Sequence, residues 1–232
     1  MSLDPSTIGR RGLLVAGGLC LAGCATRTPQ TAAADWHEVP LPGKKPTRYR
    51  WERQGGRDVL AAHAEHSASM WRRRLQVAPE RLGEVSFSWR VDELVRGASV
   101  AHADREDASA RVLFGFGGDL ARLSGRNRMM FELAQALTGE APPYATLMYV
   151  WESEAPLDSI IVNPRTDRIR KIVLDSGPSN LGTWRHHRRS LVSDFRRVFG
   201  ENPGPLQSIA LMTDSDNTRS VARAWYGPVQ VH

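Results

Sequence analysis

The segment Val85-Ser86-Phe87-Ser88-Trp89-Arg90-Val91 puts a large apolar side chain at every second position and a polar one between each pair. Successive side chains of a strand point to opposite faces, so this period of two predicts a half-buried strand. Val112, Phe114 and Phe116 repeat the pattern around Leu113 and Gly115, and Tyr49 and Trp51 repeat it between Arg48, Arg50 and Glu52. Residues Val59 to Ala64 continue the strand series, and a further extended piece surrounds Met70 and Leu75. Leu147-Met148-Tyr149-Val150-Trp151 is apolar on both faces, as a central strand covered on both sides would be. Ile160 to Val162 and Ile169 to Leu174 flank the turn-rich Asn163-Pro164-Arg165-Thr166-Asp167. Ile209 and Leu211 open another strand, and Trp225 to Val231 closes the series. Only two stretches have helical spacing: Asn127 to Leu137, stopped by Gly139, and Val192 to Phe199, with Gly200 as its cap. About nine short strands and so few helices predict an all-β, jelly-roll-like β-sandwich with one or two short helices. The strand–helix alternation that builds a wholly parallel sheet is missing.

The N-terminus reads as an address. Arg10-Arg11 precedes a short apolar stretch, Gly12 to Cys20, which ends in Leu21-Ala22-Gly23-Cys24. A basic start, an apolar middle too short to span a bilayer and a small-residue end form an export signal. Leu21-Ala22-Gly23-Cys24 resembles the bacterial lipoprotein box. That resemblance implies cleavage before Cys24 and a diacylglycerol on its thiol. Arg10-Arg11 also resembles a twin-arginine export signal, although two arginines serve a general export signal equally well. Residues 1–23 are then the signal, 24–35 a small, polar tether and 36–232 a single β-sandwich domain. Ala25, rather than Asp, after the Cys implies the periplasmic face of the outer membrane.

The chain has two Cys among 232 residues. One leaves with the signal and the other carries lipid, which excludes a disulfide scaffold, thiol catalysis and a Cys-based zinc module. A net charge of +6 raises the question of nucleic acid. The arginines, however, are spread along the chain and interleaved with acids, and an exported, lipid-anchored protein rarely meets nucleic acid. An anionic envelope polymer or lipid surface is the better electrostatic partner.

Several ordered stretches resemble an uncharacterised family of bacterial exported proteins and lipoproteins, a domain of unknown function. They include Leu41 to Tyr49, Glu65 to Ser69, Trp89 to Asp92, Asp107 to Val112, Tyr149 to Trp151, Asp194 to Gly200 and Ile209 to Thr218. The strand-rich, Trp-rich pattern is also similar to that of jelly-roll carbohydrate-binding modules. The first resemblance implies no activity; the second implies a fold and, as an expectation, a glycan ligand.

The candidate sites follow from residue chemistry. Sugar C–H faces pack on aromatic rings, so an exposed Trp184 beside Arg185 is a candidate platform, whereas Trp89 and Trp151 lie in strong strand patterns and belong in the core. Arg90 and Asp92 share the polar face of one strand, with Glu65 as a further charge partner if the strands adjoin. Carboxylates such as Glu65, Asp92 or Asp107 would serve a glycan hydrolase or lyase if two met in one cleft. Asp214, Asp216 and Asn217 offer oxygen ligands at a spacing that suits a structural calcium, or a plain turn. His186 and His187 are adjacent and would face opposite ways on a strand, so they do not suit one metal ion. The sequence has no Gly-x-Ser-x-Gly elbow, no His-Glu-x-x-His and no phosphate-binding Gly-rich loop. The sequence therefore predicts a lipid-anchored envelope protein that binds a carbohydrate or envelope polymer. A glycan hydrolase or lyase and an outer-membrane scaffold are the alternatives.

Overall fold

The computed structural model describes residues 35–232. Thirteen strands and two α-helices are present among them: β1 (Trp36–Pro40), β2 (Arg48–Gln54), β3 (Arg57–Glu65), β4 (Ala68–Val77), β5 (Glu84–Val91), β6 (Ala108–Phe116), α1 (Gly125–Thr138), β7 (Ala145–Glu152), β8 (Ile160–Val162), β9 (Ile169–Ser176), β10 (Arg185–Ser190), α2 (Leu191–Phe199), β11 (Leu206–Asp214), β12 (Val221–Tyr226) and β13 (Gln230–Val231). One sheet has the order β1-β4-β11-β6-β7-β9-β8 and the other β10-β5-β12-β3-β2, with β13 added beside β5.

Their central strands define the architecture. From β3 to β12 the chain crosses between sheets so that β3-β12-β5-β10 and β4-β11-β6-β7 stack as two four-stranded sets. That connection order is the double Greek key of a jelly roll. The fold is a jelly-roll β-sandwich, as the sequence predicts. The exception to antiparallel pairing is β7 with β9, reached through the short β8 and not through a helix.

The alternation read from the sequence becomes the inter-sheet core. Val85, Phe87, Trp89 and Val91 of β5 point inward, against Val112, Phe114 and Phe116 of β6 and Tyr149 and Trp151 of β7. Phe87 stacks on Tyr149 at 5.7 Å, and Trp89 lies 6.4 Å from Trp151. Both tryptophans are almost fully buried. Each buried aromatic contributes roughly 2–3 kcal/mol through apolar burial.

Two helices accompany the sheets. In α1, Ser124 caps the first turn and Gly139, in the left-handed region, ends it. In α2, Ser190 accepts from Ser193 N–H, and Leu191, Phe195 and Val198 join the core. Tyr149 Oη donates to Asp194 Oδ2 at 2.7 Å, and Arg189 grips the same carboxylate through two bonds.

The structure adds what the sequence pattern did not show. β10 carries Arg185 to Ser190, a run of charged and His residues with no apolar alternation. Its inward positions hold Arg185, His187 and Arg189, which are met by carboxylates outside the strand. Asp175 accepts from Trp89 Nε1 at 2.7 Å, from Arg185 Nε at 2.8 Å and bonds His187 Nε2 at 2.8 Å. His186 is exposed on the other face, so the two histidines do diverge. The final strand is in fact two, β12 and β13, broken at Gly227-Pro228.

Candidate ligand groove

The seven-stranded sheet has a second covered face, turned away from the core. Its register brings one outward side chain from each of five strands into a row: Arg72 of β4, Ala210 of β11, Leu113 of β6, Met148 of β7 and Lys171 of β9. At about 4.8 Å per strand, the row spans roughly 19 Å. The row to one side includes Met70, Met212 and Arg111. The row to the other side runs through Ser208, Gly115 and Thr146. Small residues at Ala210, Ser208 and Gly115 keep the floor low along the middle of the sheet.

Walls rise on either side of this floor. α1 contributes Met130, Phe131 and Ala134, and the loop after it contributes Pro142, Pro143 and Tyr144. The wall depends on close packing behind it: a Cβ on Gly118 would lie 2.2 Å from the Tyr144 ring. The result is a groove of about 420 Å³, within the range of small-ligand sites. It runs on toward β1 into a second cavity of about 600 Å³, which shares Leu41, Met70, Arg72, Ala134, Pro142 and Pro143 with it.

A buried ionic cluster closes one end. Arg111 donates from Nε to Asp214 Oδ1 at 2.9 Å and from Nη2 to Asp214 Oδ2 at 2.8 Å, and both side chains are buried. Lys171, wholly buried, donates to the Val100 carbonyl at 2.6 Å and pairs with Glu106 at 2.6 Å. Glu106 also accepts from Asn163 at 2.9 Å and from Arg165 at 3.3 Å. Burial pushes the Asp214 carboxyl up to about 7; Arg111 opposes this, and nearby Asp107 adds to it. Burial and the neighbouring Arg111 push Lys171 down to about 8, against the pull of Glu106. Arg72 differs from these groups. Its Nη2 donates to Glu140 at 2.9 Å, but its buried Nε has no partner among the described residues.

Apart from Asp214, the residues singled out in the sequence lie elsewhere. Arg185 is tied to Asp175, and Trp184 is half-buried beside it. Arg90 pairs with Asp92 at 2.8 Å and lies 5.2 Å above the Trp225 ring, on the outer face of the six-stranded sheet. Strand β12 separates β3 from β5, so Glu65 does not reach Arg90; it pairs with Lys45 at 3.5 Å. Glu65, Asp92 and Asp107 therefore each have a separate partner, with Thr218 and Asn217 N–H groups donating to Asp107. Asp214 and Asp216 do converge, joined by Asp107, with one oxygen of each within 4.8 Å of the others. Asn217 instead donates its side-chain amide to the Ala103 carbonyl. A divalent cation among these carboxylates would compete with Arg111 on Asp214 and with Lys44 on Asp216. Arg10, Arg11 and Cys24 lie outside the described residues.

The groove residues themselves escaped the sequence reading. A signal was present: Arg111 sits directly before the apolar run Val112-Leu113-Phe114 and Lys171 directly before Ile172-Val173-Leu174, where a buried charge has to be paired.

A jelly-roll sandwich with a walled groove on one outer face is the class of protein that fold and site define. The family model "Protein of unknown function (DUF3047)" matches residues 34–230, and the chain belongs to that family. No curated protein matches the sequence. Among solved structures, the chain is similar to a family 11 carbohydrate-binding module of a cellulosomal cellulase of Clostridium thermocellum. The two are 10% identical, with 85% of this chain and 86% of that chain covered and a TM-score of 0.40. It is also similar to a meso-active, thermostable cellulase derived from a Rhodothermus marinus cellulase, at 12% identity, with 87% and 93% covered and a TM-score of 0.45. A xyloglucanase domain from Sinorhizobium fredii matches at 7% identity, with 85% and 92% covered and a TM-score of 0.45.

Proposed function

We propose that this chain is a non-catalytic binding protein for a component of the bacterial cell envelope, which it holds in the outer groove. The single observation that carries this reading is the groove itself: a walled trough across the central strands, continuous with a second cavity toward β1. Binding is favoured over acid–base chemistry by the state of the nearest carboxylates. Glu106 and Asp214 are both held by cations and N–H donors, so neither is placed to exchange a proton with a ligand. In this reading the protein is exported, lipid-anchored through Cys24 and stationed at the periplasmic face of the outer membrane, where a carbohydrate or other envelope polymer would be its partner. Support for the anchor comes from Leu21-Ala22-Gly23-Cys24.

The test is binding of soluble envelope glycans and lipids to the full chain, with hydrolysis followed in parallel. Saturable binding without turnover supports the proposal. Turnover of a bound glycan would replace it with the hydrolase reading.

A further inference from the structure

Resting on the groove reading, we infer that the portion of the ligand inside the groove is an acyl chain bearing an anionic head group, with the head seated at Arg72. Two independent features point there. The first is the chemistry of the floor: Leu113, Met148, Met70 and Met212 offer no hydrogen bond, and α1 adds Met130 and Phe131. A sugar laid on this apolar middle would leave most of its hydroxyls unpaired, at a cost of about 1–3 kcal/mol each, because the polar lining groups such as Ser208, Thr146, Asn127 and Asn163 lie to its sides. A flexible hydrocarbon loses nothing of the kind, and methionines adapt their shape to it.

The second feature is charge. Four arginines line the groove, Arg72, Arg111, Arg165 and Arg168, against one carboxylate, Glu106. Glu106 is already held by Lys171 and Asn163. Arg111 is saturated by Asp214 and the Glu106 carbonyl, and Arg168 by Glu201 and the Tyr144 carbonyl. Arg72 alone of the four has a buried donor atom with no acceptor: its Nη2 is held by Glu140 at 2.9 Å, but its Nε is unmet. It also lines both cavities. An unmet buried N–H is unfavourable, and a carboxylate or phosphate oxygen satisfies it with a charge-assisted bond. Anion and tail are thus placed in sequence: the head at Arg72 on β4, the tail along Ala210, Leu113 and Met148.

A fluorescent polyunsaturated C18 carboxylate, cis-parinaric acid, tests this directly. The full chain is used with Cys24→Ser, so that no acyl group of its own competes. Palmitate, lysophosphatidylglycerol, methyl palmitate and cellotetraose serve as competitors. The inference predicts saturable binding, with displacement by palmitate or lysophosphatidylglycerol and at least about tenfold weaker displacement by the uncharged ester. Which of the two anions competes better tells a free fatty acid from a phospholipid source. Ala210→Leu, which fills the floor, and Arg72→Gln, which removes the head's seat, should each weaken binding about tenfold or more. Unchanged thermal unfolding midpoints would show that both variants fold. Unchanged affinity in both variants overturns the acyl assignment. If cellotetraose binds, is lost in Ala210→Leu, and the carboxylates do not bind, the groove stands and the acyl inference falls. If no probe binds, both fall.

Discussion

Arg111 and Asp214 form a two-pronged ion pair between neighbouring strands of one sheet, both side chains almost wholly removed from water. The pair sits where the apolar floor of the groove ends. A bulge beside it, between Met212 and Asp214, shifts the register of β11 against β6. Thr213, inside the bulge, donates to the Ser109 carbonyl and bonds the Tyr226 hydroxyl at 2.8 Å, which links the groove face to the sandwich core.

Breaking that pair from one side should be costly. Arg111→Met leaves Asp214 buried beside Asp107 and should destabilise the protein by about 3–5 kcal/mol. The double variant Arg111→Met, Asp214→Leu should recover much of the loss, because a pair replaced by apolar groups of similar volume leaves no stranded charge. Denaturant unfolding of the two single variants and the double variant checks this. Additive losses would mean that the two residues are not coupled.

Asp175 makes part of the stability depend on pH. Burial raises its pKa, but hydrogen bonds from His187, Trp89 and Arg185 outweigh this and hold the carboxyl below its ordinary value of 3.8. A carboxyl whose folded pKa is lowered contributes stability above its unfolded pKa and loses it as pH falls through the folded pKa. Asp175→Asn should therefore reduce stability at pH 7, by about 2–4 kcal/mol. The gap from the wild type should narrow as the pH is taken below about 4. Thermal unfolding of both proteins from pH 7 to pH 3 measures it.

The groove wall has a mechanical weak point at Gly118. An alanine there meets the Tyr144 ring at 2.2 Å, so the ring must move. Tyr144 also carries the Arg168 guanidinium 4.1 Å above its ring. Gly118→Ala should cost about 1–3 kcal/mol through overpacking and reshape the wall. Gly125→Ala, where nothing lies within 4 Å of the new methyl, is the control and should be close to neutral. Unfolding of the two variants side by side distinguishes them.

The anchor makes its own prediction. Cys24→Ser should abolish incorporation of labelled palmitate in cells; labelling that persists would contradict the lipoprotein reading. Arg10→Lys with Arg11→Lys keeps the charge. Lost export in that variant identifies the twin-arginine route, and unchanged export the general one.

Much of the sandwich was legible in the residues. Val85, Phe87, Trp89 and Val91 announce β5 because one face of that strand is dry and the other wet. β7 is equally plain because both its faces are covered. β10 was not, since its inward positions hold the polar Arg185, His187 and Arg189, which are met by Asp175 of β9 and Asp194 of α2. The groove was hidden for a related reason. Its floor is a row across five strands, so Arg72, Ala210, Leu113, Met148 and Lys171 come together only through register, which no short-range spacing encodes. Asp214 and Asp216 were legible as a pair, but their third neighbour, Asp107, comes from the loop before β6.

The most direct test of the groove is to map backbone amide shifts while cis-parinaric acid and then cellotetraose are titrated into the full chain. The account predicts that the larger shifts for a bound probe cluster at Arg72, Ala210, Leu113 and Met148. Shifts centred instead on Trp225 and Arg90, on the outer face of the other sheet, would contradict it.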